Sequence, residues 1–170
     1  MTCPSCGAPM RVGQGTGSFT CDYCKSLYVP GVNDEGVSEL DELPDRLCPI
    51  CAIPLWNATL KTSEGQGAHI WSCKHCRGMM IPMGGFPDLV EQIRDSDPGA
   101  EIPPAAPDPR DLQRKIDCPA CHKHMDAHVY FGGGNVVIDS CEQCELNWLD
   151  HGELMRIARA PKMATADYDS

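Results

Sequence analysis

Apolar side chains in this 170-residue chain come in short bursts, and only two stretches carry them at helical spacing. In 87–94, Leu89, Val90 and Ile93 form a stripe behind Pro87, which suits the first turn of a helix, so a short helix is predicted there. In 150–158, Leu154, Ile157 and Ala158 make a second stripe. Asp150 is placed to cap that helix, Glu153 to complete a capping box, and Pro161 follows its end. Elsewhere the bursts bracket glycine turns. Fourteen residues between Cys6 and Cys21 leave room for two short strands turning at Gly13, Gly15 and Gly17; a longer hairpin should turn at 63–67, and a third at the glycines 132–134. Three Trp, four Tyr, three Phe and fifteen prolines spread along the chain argue against one shared core and for several small units.

Each burst pattern is framed by cysteines. Twelve cysteines fall into six Cys-x-x-Cys pairs with none left over: Cys3 and Cys6 with Cys21 and Cys24, Cys48 and Cys51 with Cys73 and Cys76, Cys118 and Cys121 with Cys141 and Cys144. Two such pairs on separate hairpins bring four soft ligands to one ion, the arrangement a closed tetrahedral zinc site requires. Three Zn2+ ions are therefore expected, one per unit. The first cysteine of each unit is followed by a proline, Pro4, Pro49 or Pro119, which fixes φ in the tight turn where backbone N–H groups can face sulfur; Gly7 extends that turn in the first unit.

The register extends beyond the cysteines. Seven residues after the first cysteine of each unit stands Met10, Leu55 or Met125, suited to packing beside the metal. Four after the last stands Tyr28, Met80 or Trp148, and two further on Pro30, Pro82 or Asp150. One supersecondary unit is thus used three times. Trp148 should be buried in its ribbon. The boundaries read 1–31 for the first ribbon, 48–94 for the second with its helix, 118–160 for the third with its helix, and 161–170 for a disordered tail. Acidic 32–47 reads as a solvated linker with at most one helical turn near 38–43, and proline-rich 95–117 as a semi-rigid spacer holding the third ribbon apart.

Charge narrows the partners. The formal charge is −10, and three ions each held by four thiolates would take it to about −16. Such a balance disfavours nonspecific attraction to phosphates. Arg11, Lys25, Lys61, Lys74 and Arg77 are the bases on the first two ribbons that a nucleic-acid partner would need on one face. The opening MTCPSCGAPM lacks the basic and apolar regions of a secretory signal, and no run approaches the length of a membrane span, so a soluble, cytoplasmic chain is expected. In a reducing compartment metal suits these cysteines better than disulfides.

Histidines 69, 75, 122, 124, 128 and 151 read as polar neighbours of sites that four cysteines already fill. A site of four cysteines leaves no open coordination position, and no Ser-His-Asp order, phosphate-cradling loop or HExxH motif appears, so no catalysis is expected. Helix capping accounts for Asp150 and Glu153 better than acid–base chemistry.

The third unit, Cys118-Pro-Ala-Cys121, Met125, Cys141-Glu-Gln-Cys144 and then Trp148-Leu-Asp-His-Gly-Glu-Leu154, resembles the bacterial zinc-ribbon family named after the ribbon of transcription factor IIB. Leu146 stands where that family usually has glycine. The second unit keeps the glycine as Gly78 but has Met80, Pro82 and Gly85 in place of Trp, Asp and Glu, like a diverged copy; the first looks like a generic ribbon. The resemblance implies a small metal-stabilised β fold, three zinc ribbons in tandem, and carries a nucleic-acid-binding label. The expected function is a non-catalytic, zinc-binding interaction module with a protein partner. Nucleic-acid binding through the first two ribbons is the alternative, and rubredoxin-like iron and electron transfer a lesser one.

Overall fold

A computed structural model describes residues 2–3, 5–12, 19–25, 27–28, 33, 35–62, 67–96 and 99–162. The turn expected at Gly13, Gly15 and Gly17, Pro4, Pro30, residues 63–66, the tail from 163 onward and the side chain of Tyr28 lie outside the described residues. Among the described residues there are ten strands in two sheets and three helices, the second of which, α2 (Pro109–Gln113), lies in the proline-rich connection. The first ribbon is a three-stranded antiparallel sheet of β1 (Met10–Val12), β2 (Phe19–Cys21) and β3 (Leu27–Tyr28), with β2 in the middle. Of its described side chains only Phe19, Cys3 and Cys21 are buried. So small a sheet has no apolar interior of its own.

The other two ribbons are not separate. Ribbon two is β5 (Pro54–Leu60), β6 (Ala68–Ser72) and β7 (Met79–Pro82), and ribbon three is β8 (Asp126–Val129), β9 (Val137–Cys141) and β10 (Leu146–Leu149). With β4 (Val37–Leu47) they form one seven-stranded sheet in the order β4-β5-β6-β7-β10-β9-β8. The join is antiparallel pairing of β7 with β10, where Trp148 lies opposite Met80 and Asn147 opposite Ile81. Met80 and Trp148 hold the same place in the repeat, so the join is a local pseudo-two-fold axis. The spacer reading of 95–117 is corrected here. Two apolar strands each carrying an open edge gain a hydrogen-bond ladder and a shared core by pairing, and a proline-rich connection long enough to span them permits it.

The linker reading of 32–47 is also corrected. Val37–Leu47 is a strand on the outer edge of β5, running from Val37 opposite Leu60 to Leu47 opposite Pro54, with two shifts of register. Its acidic side chains hid it from a hydrophobicity-based reading. An edge strand needs the ladder more than it needs apolar burial: Asp41 accepts from Asn57 Nδ2 at 3.0 Å, and Glu39 pairs with Lys74 at 3.6 Å. Pro44, which donates nothing, falls within the second shift, between Leu43 and Leu47.

Strand alternation gives the sheet two working faces. On one lie Ala58, Leu60, Ile70, Met79, Ile81, Ile138 and Leu149, under helices α1 (Phe86–Ser96) and α3 (Glu153–Ala158). Phe86, Leu89, Val90 and Ile93 of α1 and Leu154, Ile157 and Ala158 of α3 complete this core. The two helices touch each other, and Arg94 donates to the last carbonyls of α3, Ala158 O at 2.8 Å and Ile157 O at 3.2 Å. α1, counted from the sequence as part of the second unit, is thus shared by both ribbons. The opposite face carries Leu55, Met80, Met125 and Trp148 with the eight cysteines of the two ribbons.

Candidate metal centres

Every Cys-x-x-Cys pair is followed by a residue in the left-handed region: Gly7 at φ 74°, Lys25 at 61°, Ala52 at 56°, Arg77 at 60°, His122 at 63° and Glu145 at 54°. Five of the six carry a Cβ, so each conformation costs something that the loop must recover. It is recovered in hydrogen bonds. The left-handed residue donates to the carbonyl of the first cysteine in five of the pairs, at 2.8–2.9 Å for Gly7, Lys25, Ala52, Arg77 and His122. The first cysteine donates in turn five residues on, Cys3 to Ala8, Cys48 to Ile53, Cys73 to Gly78 and Cys118 to Lys123. This loop turns backbone N–H groups onto sulfur: Ile50 and Cys51 donate to Cys48 Sγ at 3.4 and 3.3 Å, Ala120 to Cys118 Sγ at 3.4 Å, and Gly78 to Cys76 Sγ at 3.5 Å.

The loops bring the twelve cysteines together in three groups of four, with all sulfurs of a group within 4.8 Å of one another. Close pairs stand at 3.5 Å for Cys3 with Cys24 and Cys6 with Cys21, 3.7 Å for Cys48 with Cys76 and 3.6 Å for Cys121 with Cys141. Thiolates about 2.3 Å from a tetrahedral ion have sulfurs roughly 3.8 Å apart, so a dication such as zinc fits each group. No cysteine is in a disulfide. The charge argument agrees. Burial pushes the Cys48 thiol up to about 11 and the Cys144 thiol up to about 12, whereas the Lys123 N–H draws Cys121 down to about 7. Four crowded sulfurs resist ionising together until a cation neutralises them.

The ribbons differ in cover. In the first, Cys6 and Cys24 are exposed; in the paired ribbons every cysteine is at least half-buried. Leu55 and Met125 are buried against the sulfurs, as their register in the repeat suggests. Trp148 is fully buried, but against the neighbouring ribbon: a Cβ on Gly78 would stand 2.2 Å from its ring. Gly78 lies two residues past Cys76, so the tryptophan of one ribbon roofs the metal loop of the other. At the mirror position Leu146 stands opposite Pro82 in the join, where Met80 replaces a second tryptophan. The departure at Leu146 thus has a packing reason: it takes up room that an indole from the other ribbon would need.

The residues after Trp148 hold it. Trp148 Nε1 donates to Asp150 Oδ1 at 3.1 Å, and Asp150 Oδ2 accepts from Arg114 at 2.7 Å. Arg114 also meets buried Asp139 at 2.6 Å. The capping-box expectation is half corrected: Glu153 Oε2 does accept from the Asp150 N–H at 2.7 Å, but the Asp150 side chain is committed to Trp148 and Arg114, and the cap residue of α3 is Gly152. Burial pushes Glu153 up to about 8. Sequence reasoning did not single out Arg114, Asp139 or Glu35, whose carboxylate accepts from His151 Nδ1 and the Gly152 N–H, both at 2.8 Å. A charged residue poised at the end of a proline-rich stretch was the available signal for Arg114. Of the other histidines, His75 lies 3.4 Å from Cys51 Sγ, His69 3.2 Å from Ala58 O, and His124 2.5 Å from Asp117.

Comparison with known proteins agrees with the third ribbon's geometry. Residues 117–160 match the family described as transcription factor zinc-finger. This part of the chain is similar to that zinc-ribbon family, and two further four-cysteine groups of the same Cys-x-x-Cys plan, each able to hold a metal ion, precede it. No curated protein and no solved structure matches the chain.

Proposed function

We propose that this chain is a non-catalytic interaction module, loaded with three zinc ions, that works in the cytoplasm by binding another protein. The observation that carries the reading is the pairing of an acidic chain, formal charge −10, with aromatic side chains left in solvent, Tyr23 at 83% exposure and Phe131 at 81%. Large exposed aromatics on a rigid frame are what protein contacts use. Four thiolates fill a tetrahedral ion, so the metals stiffen loops and leave no position for a substrate. Among the described residues no helix is long and apolar enough to cross a membrane.

The family description favours a second reading, a transcription-related protein that contacts nucleic acid. Of the five bases that would serve it, Arg11 pairs with Asp22, and Lys74 pairs with Glu39 while covering the Trp56 ring. Those engagements leave less free positive charge for phosphates. Titration of the metal-loaded chain against single- and double-stranded nucleic acid separates the two. No retardation at near-physiological salt is expected; retardation that weakens steeply with salt moves the assignment to nucleic acid. Elemental analysis should find three zincs per chain, and stoichiometric iron with visible charge-transfer absorption would replace this account with electron transfer.

A further inference from the structure

The pseudo-two-fold axis allows the two paired ribbons to be laid over one another, and on the helix-bearing face they differ beside the third cysteine of each. In ribbon two Ser72 lies between Trp56 and Met79 in the sheet. In ribbon three Ser140 lies between Asp126 and Asn147. The positions correspond, as do Lys74 and Glu142, each directly following the third cysteine of its ribbon. Ribbon two fills this place itself: the Lys74 ammonium sits 3.3 Å from the centroid of the Trp56 ring, with Glu39 behind it. Ribbon three has lost the indole, the methionine and the ammonium, and a groove of about 290 Å³ remains.

The groove joins an aromatic wall to a polar floor. Its walls are Met83, just past β7, and Phe86 and Pro87 from the start of α1, with Tyr130 and Phe131. The three aromatic rings form a ladder, Phe86 edge-on to Tyr130 and Tyr130 against Phe131, each at 5.2 Å between centroids. Its floor is polar and ordered: His128 Nε2 donates to Ser140 Oγ at 2.8 Å, and Ser140 donates to Asn147 at 2.7 Å. At its rim stand Asp126 and Glu142, both exposed, and no lysine or arginine lines it among the described residues. An aromatic wall with two carboxylates and no internal cation is the complement of the indole and ammonium that ribbon two keeps in place.

We infer that this groove docks an extended segment of a partner protein in which an aromatic side chain stands beside a lysine or arginine. The ring inserts between Phe131 and the α1 turn, and the cation meets Asp126 and Glu142. The inference rests on the protein-interaction reading and specifies which surface and which chemistry serve it.

The test uses the full zinc-loaded chain and an acetylated, amidated hexapeptide, Gly-Ser-Trp-Lys-Ser-Gly, followed by NMR. Saturable shifts confined to Met83, Tyr130, Phe131 and Ile138 are expected. Replacing the peptide's Lys by Glu, or Phe131 by Ala in the protein, should weaken binding about tenfold or more. Glu142→Lys should reverse the preference between the Lys and Glu peptides. Phe131 and Glu142 are exposed, so neither change threatens folding. Equal binding of the two peptides, or no shift at millimolar peptide, overturns the inference. So does a single-stranded oligonucleotide moving the same signals, or removal of residues 163–170 moving them without peptide, which would make the chain's own tail the occupant. A zinc-dependent protein partner whose binding is indifferent to Phe131→Ala would sink the groove and leave the interaction reading standing, whereas salt-sensitive nucleic-acid retardation would sink that reading itself.

Discussion

The first ribbon and the paired ribbons use the same cysteine loop and solve different problems with it. In the first, β1, β2 and β3 bury one phenylalanine and two cysteines among the described residues, so sulfur and metal must stand in for a core. In the pair, the loops sit on one face of a seven-stranded sheet whose other face holds two helices and a conventional apolar interior. Metal is the fold of the first and a reinforcement of the second. Burial follows the same division, with exposed Cys6 and Cys24 in the one and no exposed cysteine in the other.

Metal removal should break this comparison open with the largest effect, because a structural zinc in a small domain contributes about 10–16 kcal/mol of apparent binding free energy at neutral pH. A chelator titration followed by NMR should strip and unfold the first ribbon first. The paired ribbons should then lose their two ions and the order of their cysteine loops, while the helix-covered apolar face of the shared sheet stays folded. Dispersed spectra from the first ribbon after full chelation would refute its dependence on metal.

Trp148→Ala should come next, destabilising the pair by about 3–5 kcal/mol. Because the indole roofs the loop at Gly78, signals of Cys73 and Cys76 should move as much as those of Cys141 and Cys144, and the first ribbon should not respond. A disturbance limited to the third ribbon would mean that the two metal loops are not coupled. Arg114→Ala should cost about 3 kcal/mol or more, since it strands buried Asp139 without its counter-charge. Denaturant midpoints would measure it, and Arg114→Ala combined with Asp139→Asn should recover part of the loss. Gly78→Ala should cost about 1–3 kcal/mol by forcing Trp148 aside, while Leu146→Gly at the mirror place should instead open a cavity.

The smallest effect is a slope with pH. Burial raises the folded-state Glu153 carboxyl to about 8 from its ordinary value of 4.5, so the folded chain holds a proton that the unfolded chain releases. That stability is fully present below 4.5 and fades as pH rises through 8. Thermal midpoints between pH 6 and 9 should therefore fall for the native chain and flatten for Glu153→Gln; parallel curves would place the proton elsewhere.

The local features were legible along the chain because their causes are local. Six identical cysteine spacings define three four-sulfur groups, a 3.6-residue apolar stripe marks Leu89, Val90 and Ile93 in α1, and the matched places of Leu55, Met125 and Trp148 mark side chains buried beside sulfur. What stayed hidden was pairing at a distance. An acidic stretch such as 37–47 looks solvated until β5 offers it a ladder, and Arg114 looks like part of a spacer until Asp139 and Asp150 meet it. The amino-acid order determined what each ribbon binds, through ligand chemistry written within a few dozen residues. Only the folded chain decided that two ribbons share one sheet and that Trp148 covers its neighbour, because strand edges find partners by shape and hydrogen bonding across space, and no spacing along the chain records that choice.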